Sequence, residues 1–210
     1  MKMVMLGPPG AGKGTQAEVL TKKLNIPTIS TGDILRDAVA RETPVGLKAK
    51  AFMDAGELVP DDVIIGIVVD RLANPDCADG YILDGVPRTL VQAQALEDNG
   101  IALDVVLSIE ISDEEILERL GGRRACPQCN AVYHITSKPP KTDGICDECA
   151  TELIIRKDDN PETIINRLQT YHKETKPLKD YYESRGILKT VENIPGVAET
   201  TAAVFSTLGI

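Results

Sequence analysis

Residues 1–20, MKMVMLGPPGAGKGTQAEVL, decide the fold. Met3, Val4, Met5 and Leu6 are apolar without alternation, the pattern of a strand covered on both faces in a parallel sheet. Gly7 to Thr15 follows as a glycine-rich turn, and Thr15 to Leu24 carries apolar residues at helical spacing. Strand, glycine turn and helix together curl the backbone of Gly10, Ala11, Gly12, Lys13, Gly14 and Thr15 so that successive N–H groups point inward at an anion. The helix behind them adds its positive end. The run fits G-x-x-x-x-G-K-[ST] with the hydroxyl displaced by one residue: Gly14 follows Lys13, and Thr15 comes next. Lys13 supplies a mobile charge suited to the β- and γ-phosphates of a nucleotide.

Outward from this loop the same rhythm repeats. Pro27 to Ser30 reads as a second strand, Tyr81 to Leu83 as a third and Val105 to Ile109 as a fourth. Helical patterns follow at Leu90 to Leu96 and, capped by Ser112, at Asp113 to Leu120. A long helix is expected after Pro161, a strand near Ile187 to Val191, and a last helix after Gly196. Thr31, Gly32 and Asp33 offer a helix cap before Ile34 and Leu35. Val63 to Val69 is the longest apolar run and reads as a buried helix or strand. Strands alternating with helices predict an α/β fold with a parallel, five-stranded sheet.

Two segments break the rhythm. Residues 30–59 are helical and read as a lobe beside the sheet. Residues 122–159 begin after Gly121 and Gly122, carry no helical period, and read as a small inserted domain. The core is then residues 1–29, 60–121 and 160–210.

The chain has 210 residues, 42% of them apolar and 26% charged, so it can bury one substantial core. A formal net charge of −9 argues against a general nucleic-acid coat, and any anion site must gather its cations locally. No apolar run approaches the ~20 residues of a membrane span, and the expected compartment is the cytoplasm.

Four of the five cysteines form the pattern C-x2-C-x16-C-x2-C: Cys126, Cys129, Cys146 and Cys149. That spacing suits a closed, structural Zn²⁺ site of four thiolates rather than a disulfide framework. The insert is too small to fold on its own core, so a metal substitutes for one. Cys77 reads as a loop thiol.

Asp84 ends a strand beside the glycine turn, where a carboxylate can hold Mg²⁺ through water. Arg88 follows Pro87 at a helix start, and Gln92 lies one turn on, facing the same side. Its amide can both donate to and accept from a purine edge. Of ten arginines, Arg119, Arg123 and Arg124 flank the Gly121–Gly122 hinge; Arg156 lies at the far hinge and Arg167 on the helix beyond. Cations on both sides of a hinged insert suit phosphoryl transfer, which needs charge neutralisation more than covalent help.

The glycine turn, the run Ser30-Thr31-Gly32-Asp33 with Arg36, and Asp84-Gly85-Val86-Pro87-Arg88 with Gln92 resemble the motifs of adenylate kinases and related nucleoside monophosphate kinases. The resemblance covers essentially the whole chain, with Val86 standing where the family usually has an aromatic. It implies a phosphate-loop kinase core, a monophosphate-binding lobe at 30–59 and a zinc-bearing lid at 122–159. It implies the reaction MgATP + AMP ⇌ 2 ADP, in a monomer without nucleic-acid or membrane partners. It implies that Thr31, Arg36, the Glu57-Leu58-Val59 segment, Gly85, Val86, Pro87, Arg88, Gln92, Arg156 and Arg167 hold AMP. Arg119 would stack on the ATP adenine, near the backbone of Val132, Tyr133 and Gly196. Lys13, Arg88, Arg123, Arg156 and Arg167 would serve the transferring phosphates. Asp33 would join Asp84 at Mg²⁺, while Asp158 and Asp159 would orient the lid arginines. No general base is required; His134 is expected near the nucleotide and His172 on a helix surface. Two alternatives stand beside this reading: a kinase for UMP/CMP or GMP, and a zinc-ribbon ATPase switch.

Overall fold

A computed structural model describes all residues, Met1 to Ile210. Its centre is a parallel five-stranded sheet built from β1 (Lys2–Leu6), β2 (Thr28–Ser30), β3 (Tyr81–Asp84), β4 (Val105–Glu110) and, after an insertion, β7 (Leu188–Glu192). The spatial order is β2-β3-β1-β4-β7, so the first strand lies in the middle. Met5 pairs with Asp84 on one side and with Leu107 on the other. The carboxyl ends of β1, β2 and β3 therefore open together, at Leu6, Ser30 and Asp84, the edge where open parallel sheets bind ligands.

Both faces of the sheet are covered, as the unbroken apolar runs require. Val4, Leu6, Leu83 and Val106 point into one buried cluster with Leu35, Val68 and Leu96. Met3, Met5, Ile82, Leu107 and Ile109 point into the other with Leu20 and Val204. The first face carries α2 (Thr31–Ala40), α3 (Pro44–Ala55), α4 (Asp61–Leu72), α5 (Leu90–Asp98) and α8 (Leu178–Glu183), and the second α1 (Lys13–Leu24) and α9 (Val197–Leu208). A third cluster, Ile116, Leu120, Ile164 and Leu168, joins α6 (Asp113–Gly122) to α7 (Pro161–Thr170).

Sequence reading and structure differ in several places. The apolar run at Val63 to Val69 is the middle of α4, with Ile64 and Val68 buried. Ser30, not Thr31, caps α2: its hydroxyl accepts from the Asp33 N–H at 3.2 Å. Thr31 is already helical, and its hydroxyl turns to the carbonyls of Asp84 and Gly85. The long helix after Pro161 is interrupted by a π-helical turn, Tyr171–Thr175, before α8. Cys77 is no loop thiol. It sits in a 3-10 turn with 4% exposure, packed in the core beside the Arg71–Asp76 ion pair.

Between α6 and α7 the chain leaves the sheet. β5 (Arg123–Ala125) and β6 (Val132–His134) form an antiparallel pair, extended by bridges from Ala125 to Ile154 and from Ile145 to Glu152. Its only buried cluster is Cys126, Tyr133, Cys146 and Leu153. Four side chains cannot supply the core that a free-standing fold requires. No helix of the protein is long and apolar enough to cross a membrane.

Candidate active site

The floor of the site is the turn from β1 into α1. Gly7 has φ +133°, and a Cβ there would lie 2.4 Å from the Ile109 carbonyl oxygen, so no side chain fits. Gly12 caps α1 in the left-handed region, which aims the first N–H groups of the helix into the turn. Gly10, Gly12, Gly14 and Thr15 line a cleft of about 470 Å³. Ala11, expected with its neighbours at the phosphates, is fully buried and does not line the cleft: its N–H donates to the Pro8 carbonyl at 3.2 Å and its carbonyl accepts from Asn193 at 2.7 Å. Lys13 folds over the turn and donates to the Gly7 and Pro8 carbonyls, each at 2.8 Å. Burial lowers its ammonium to about 8; Asp84 opposes this, while Arg88, Arg167 and Arg123 add to it.

Arginines gather opposite this turn. Arg123 donates from Nε to Asp159 Oδ2 at 2.7 Å and pairs a second time through Nη2 with Oδ1. Arg167 reaches the same Oδ1 at 3.2 Å and Asp158 Oδ2 at 3.0 Å. Burial disfavours the Asp158 carboxylate, yet Arg167, Arg123, Arg36 and Arg156 together hold its carboxyl below the usual range. Arg156 has Arg36 and Arg123 as charged neighbours, and its guanidinium makes no hydrogen bond or ion pair. Burial first, then those two neighbours, lowers it to about 10. Such a group favours an added anion. Arg88 lines the cleft and donates from Nε to the Gly85 carbonyl at 2.8 Å. Its guanidinium is shifted below the arginine range by desolvation and by Arg167, though it stays charged at neutral pH.

A second, smaller cavity opens from the first. Thr31, Arg36, Glu57, Leu58, Val59, Gly85, Gln92 and Arg167 line it, and Pro87 lines the neighbouring recess under Leu58. Gly85 is at φ +85°, with space for a Cβ closed off by Thr31 Oγ1 at 2.8 Å and Arg88 Nη2 at 3.0 Å. Arg36 pairs with Asp33, and its Nε is buried with no partner, a donor left for a ligand. Arg36, Arg88 and Arg167 line both the cleft and this cavity. The cations therefore stand at the junction of two compartments.

Two placements depart from the sequence reading, those of Val86 and Gln92, whereas Tyr133 meets the cleft through its backbone as expected. The Val86 side chain does not reach the cleft; it is 1% exposed and packed in the sheet core, where an apolar residue of its size fits. Gln92 lines the smaller cavity, but its amide is already engaged. Oε1 accepts from the Arg88 N–H at 2.7 Å and Nε2 donates to Asp61 Oδ1 at 2.8 Å. One donor hydrogen and one lone pair remain for a ligand. The Tyr133 side chain is buried in the insert, its hydroxyl accepting from the Asp147 N–H at 2.8 Å, so only its backbone faces the cleft with Val132.

Arg119, Gly196, Asp33 and Asp84 line the cleft as expected. His134 lines it too, its Nδ1 accepting from the N–H groups of Thr136 and Ser137 at 3.1 and 3.2 Å. His172 donates to Asp113 at 2.9 Å on the surface of the π-helical turn. Residues the sequence reading passed over also meet here. Asn193 bridges Arg119 and the glycine turn, Asp61 holds Gln92, and Thr175 donates to the Arg88 carbonyl at 2.8 Å.

The four cysteines converge. Their sulfur atoms all lie within 4.8 Å of one another, with Cys126–Cys149 at 3.4 Å, Cys129–Cys146 at 3.5 Å and Cys129–Cys149 at 3.6 Å. A tetrahedron with ~2.3 Å metal–sulfur bonds has edges of about 3.8 Å, so the cluster fits one zinc ion closely. None of these separations is a disulfide, whose sulfurs lie ~2.05 Å apart.

A glycine turn on a helix end, an arginine cluster and two joined compartments define a phosphate-loop phosphotransferase. Comparison with known proteins narrows this. The family model described as "Adenylate kinase" matches residues 5–187. The chain is 51% identical over 212 residues to an adenylate kinase of Carboxydothermus hydrogenoformans, covering 99% of each chain. It is likewise 51% identical over 214 residues to adenylate kinases of Caldicellulosiruptor bescii and Ruminiclostridium cellulolyticum, covering 100% of each. The chain belongs to the adenylate kinase family, and is a kinase that transfers phosphoryl groups between nucleotides. Neither the fold nor the relatives favour the zinc-ribbon switch.

Proposed function

We propose that the two compartments hold ATP and AMP face to face, and that the chain catalyses MgATP + AMP ⇌ 2 ADP by direct in-line transfer. The observation that carries this reading is the placement of Arg36, Arg88 and Arg167 on the shared wall of both cavities. Two nucleotides bring about six negative charges together, and only the junction of their phosphate ends needs cations from both sides.

In this reading the ATP phosphates lie on the backbone N–H groups of Gly10 and residues 12–15, with Lys13 released from its loop carbonyls to meet them. Arg119, the Val132 and Tyr133 backbone and Gly196 bound the adenosine end. AMP sits against Thr31, the 57–59 segment and Gln92, its phosphate on Arg36 and Arg88. A phosphate oxygen of AMP attacks the γ-phosphorus while the bond to the departing ADP oxygen breaks. Lys13, Arg88, Arg123, Arg156 and Arg167 balance the charge spread over the three equatorial oxygens. The attacking oxygen is already ionised, so no side chain needs to take a proton. Asp84 and Asp33 would hold Mg²⁺ through water, and the bound ion neutralises part of the phosphate charge. Asp33 must then loosen its hold on Arg36. Cys126, Cys129, Cys146 and Cys149 would hold a structural Zn²⁺ with no open position.

We read residues 30–59 as the monophosphate lobe and 122–159 as a lid that excludes water from the junction. The protein acts as a monomer in the cytoplasm, without nucleic-acid or membrane partners. A molecule in which two adenosines are joined by five phosphates tests the arrangement. It should compete with both ATP and AMP. Competition with ATP alone would mean that the second compartment is not an AMP site.

A further inference from the structure

Asn193 stands directly after β7 and is fixed there twice over. Its N–H continues the sheet by donating to the Glu110 carbonyl at 2.8 Å. The next residue, Ile194, is clamped at both its N–H and its carbonyl by the buried Thr200 hydroxyl, at 3.1 and 2.9 Å. A rigid backbone thus presents one carboxamide to the cleft.

That carboxamide joins two parts of the proposed ATP side. Nδ2 donates to the Ala11 carbonyl inside the phosphate-binding turn at 2.7 Å, and Oδ1 accepts from Arg119 Nη2 at 2.8 Å. The two partners admit only one orientation of the amide. Reversed, its NH₂ would face a guanidinium and its oxygen a carbonyl. Arg119 comes from α6 and has no other side-chain partner, so this one bond sets the direction of its guanidinium. A long, unrestrained arginine would lose rotamer freedom on binding a base; one already held loses less.

We propose that Asn193 is a positioning residue: it clips Arg119 to the phosphate-binding turn, so that the base-facing cation and the phosphate cradle stand in fixed register before ATP arrives. The inference rests on the reading that Arg119 bounds the adenosine end. Its effect falls on the nucleoside part of ATP and not on the phosphates, which the turn's own N–H groups hold.

Calorimetric titration of the full-length protein with ATP and with inorganic tripolyphosphate separates the two, alongside steady-state kinetics. Asn193→Ala should weaken ATP about 5–10-fold, the net scale of one ordinary hydrogen bond, and raise KM for ATP in step. Tripolyphosphate affinity and KM for AMP should move less than about twofold. In an Arg119→Ala background the same change should have no further effect on ATP, because nothing remains to be positioned. Equal weakening of ATP and tripolyphosphate, or additive effects in the double variant, would overturn the proposal; simple destabilisation of the fold would give that additive result. Arg119→Ala alone checks the underlying reading. If it leaves ATP affinity unchanged, the assignment of Arg119 to the nucleoside fails. If it weakens ATP while Asn193→Ala does not, the assignment stands and the positioning role fails.

Discussion

Asp159 holds Arg123 through both carboxylate oxygens, with the Asp159 side chain fully buried and the Arg123 side chain 15% exposed. These residues begin and end the inserted segment, 36 positions apart in sequence. The pair therefore fixes the two stems of the insert to each other, and Arg167 of α7 joins it at Oδ1. One buried carboxylate sets the spacing of two cations that line the cleft.

Asp159→Ala should accordingly do two kinds of damage. Removing one partner of a buried pair costs about 3–5 kcal/mol, or a fall in Tm of about 6–20 °C for a chain of this size. Displaced arginines should lower kcat about 10²-fold even at temperatures where the variant is fully folded. A thermal melt and a coupled ADP assay check both. A variant with native kcat would show that Arg123 and Arg167 need no such anchor.

Lys13→Ala and Arg88→Ala should each leave Tm near native and lower kcat about 10²–10³-fold, the usual loss for one preorganised charge donor. Arg88 takes its direction from the Gly85 carbonyl, so Arg88→Lys, which has no fork to place, should recover little. Substantial activity in Arg88→Ala would remove this residue from the transition state.

The phosphate turn was legible because everything it needs is local: a strand, glycines, a lysine and a helix within the first 24 residues. The four cysteines were legible for the same reason, since metal spacing is written along the chain. The register of the arginines was not. Asp159 meets Arg123 only because β5 and the 3-10 turn at Lys157–Asp159 lie side by side. Asn193 reaches Ala11 across 182 residues, and no periodicity in residues 187–196 announces it. Gln92 was read for its position one helical turn beyond Arg88. Its engagement with Asp61 depends on how α4 packs on α5, a tertiary fact. Cys77 followed the loop-like residues around it, while the Arg71 fork folds that turn inward.

Lys13 gives ATP binding a pH dependence. Its ammonium is lowered by burial from 10.5 to about 8 in the unliganded protein. Between those values the unfolded chain holds more of this proton than the folded one, so this group's contribution to stability rises with pH across that window. A bound polyphosphate favours the charged form and reverses the shift. ATP should therefore bind more weakly as pH rises through about 8, with net proton uptake on binding. Calorimetry in two buffers of different ionisation enthalpy measures that uptake. Lys13→Met should abolish it; uptake that survives would assign the proton to another group.

Zinc should act on stability and not on chemistry. One ion per chain should be found by elemental analysis. Chelation, or Cys129→Ser, should lower Tm by several degrees, at about 2–4 °C per kcal/mol lost. Assayed well below the new Tm, the metal-free protein should keep most of its kcat, because Lys13, Arg88 and Arg167 lie outside the segment that carries the four cysteines. Loss of turnover with an unchanged melting curve would mean that the metal touches substrate.

Direct transfer between two bound nucleotides is read from the fate of the γ-phosphate of ATP. With γ-labelled ATP and AMP, label should appear in the ADP formed from AMP, two ADP should form for each AMP consumed, and inorganic phosphate should stay unlabelled. Without AMP, ATP should remain intact. Labelled inorganic phosphate released at a rate independent of AMP would mean that the protein hydrolyses ATP and does not transfer its phosphoryl group to AMP.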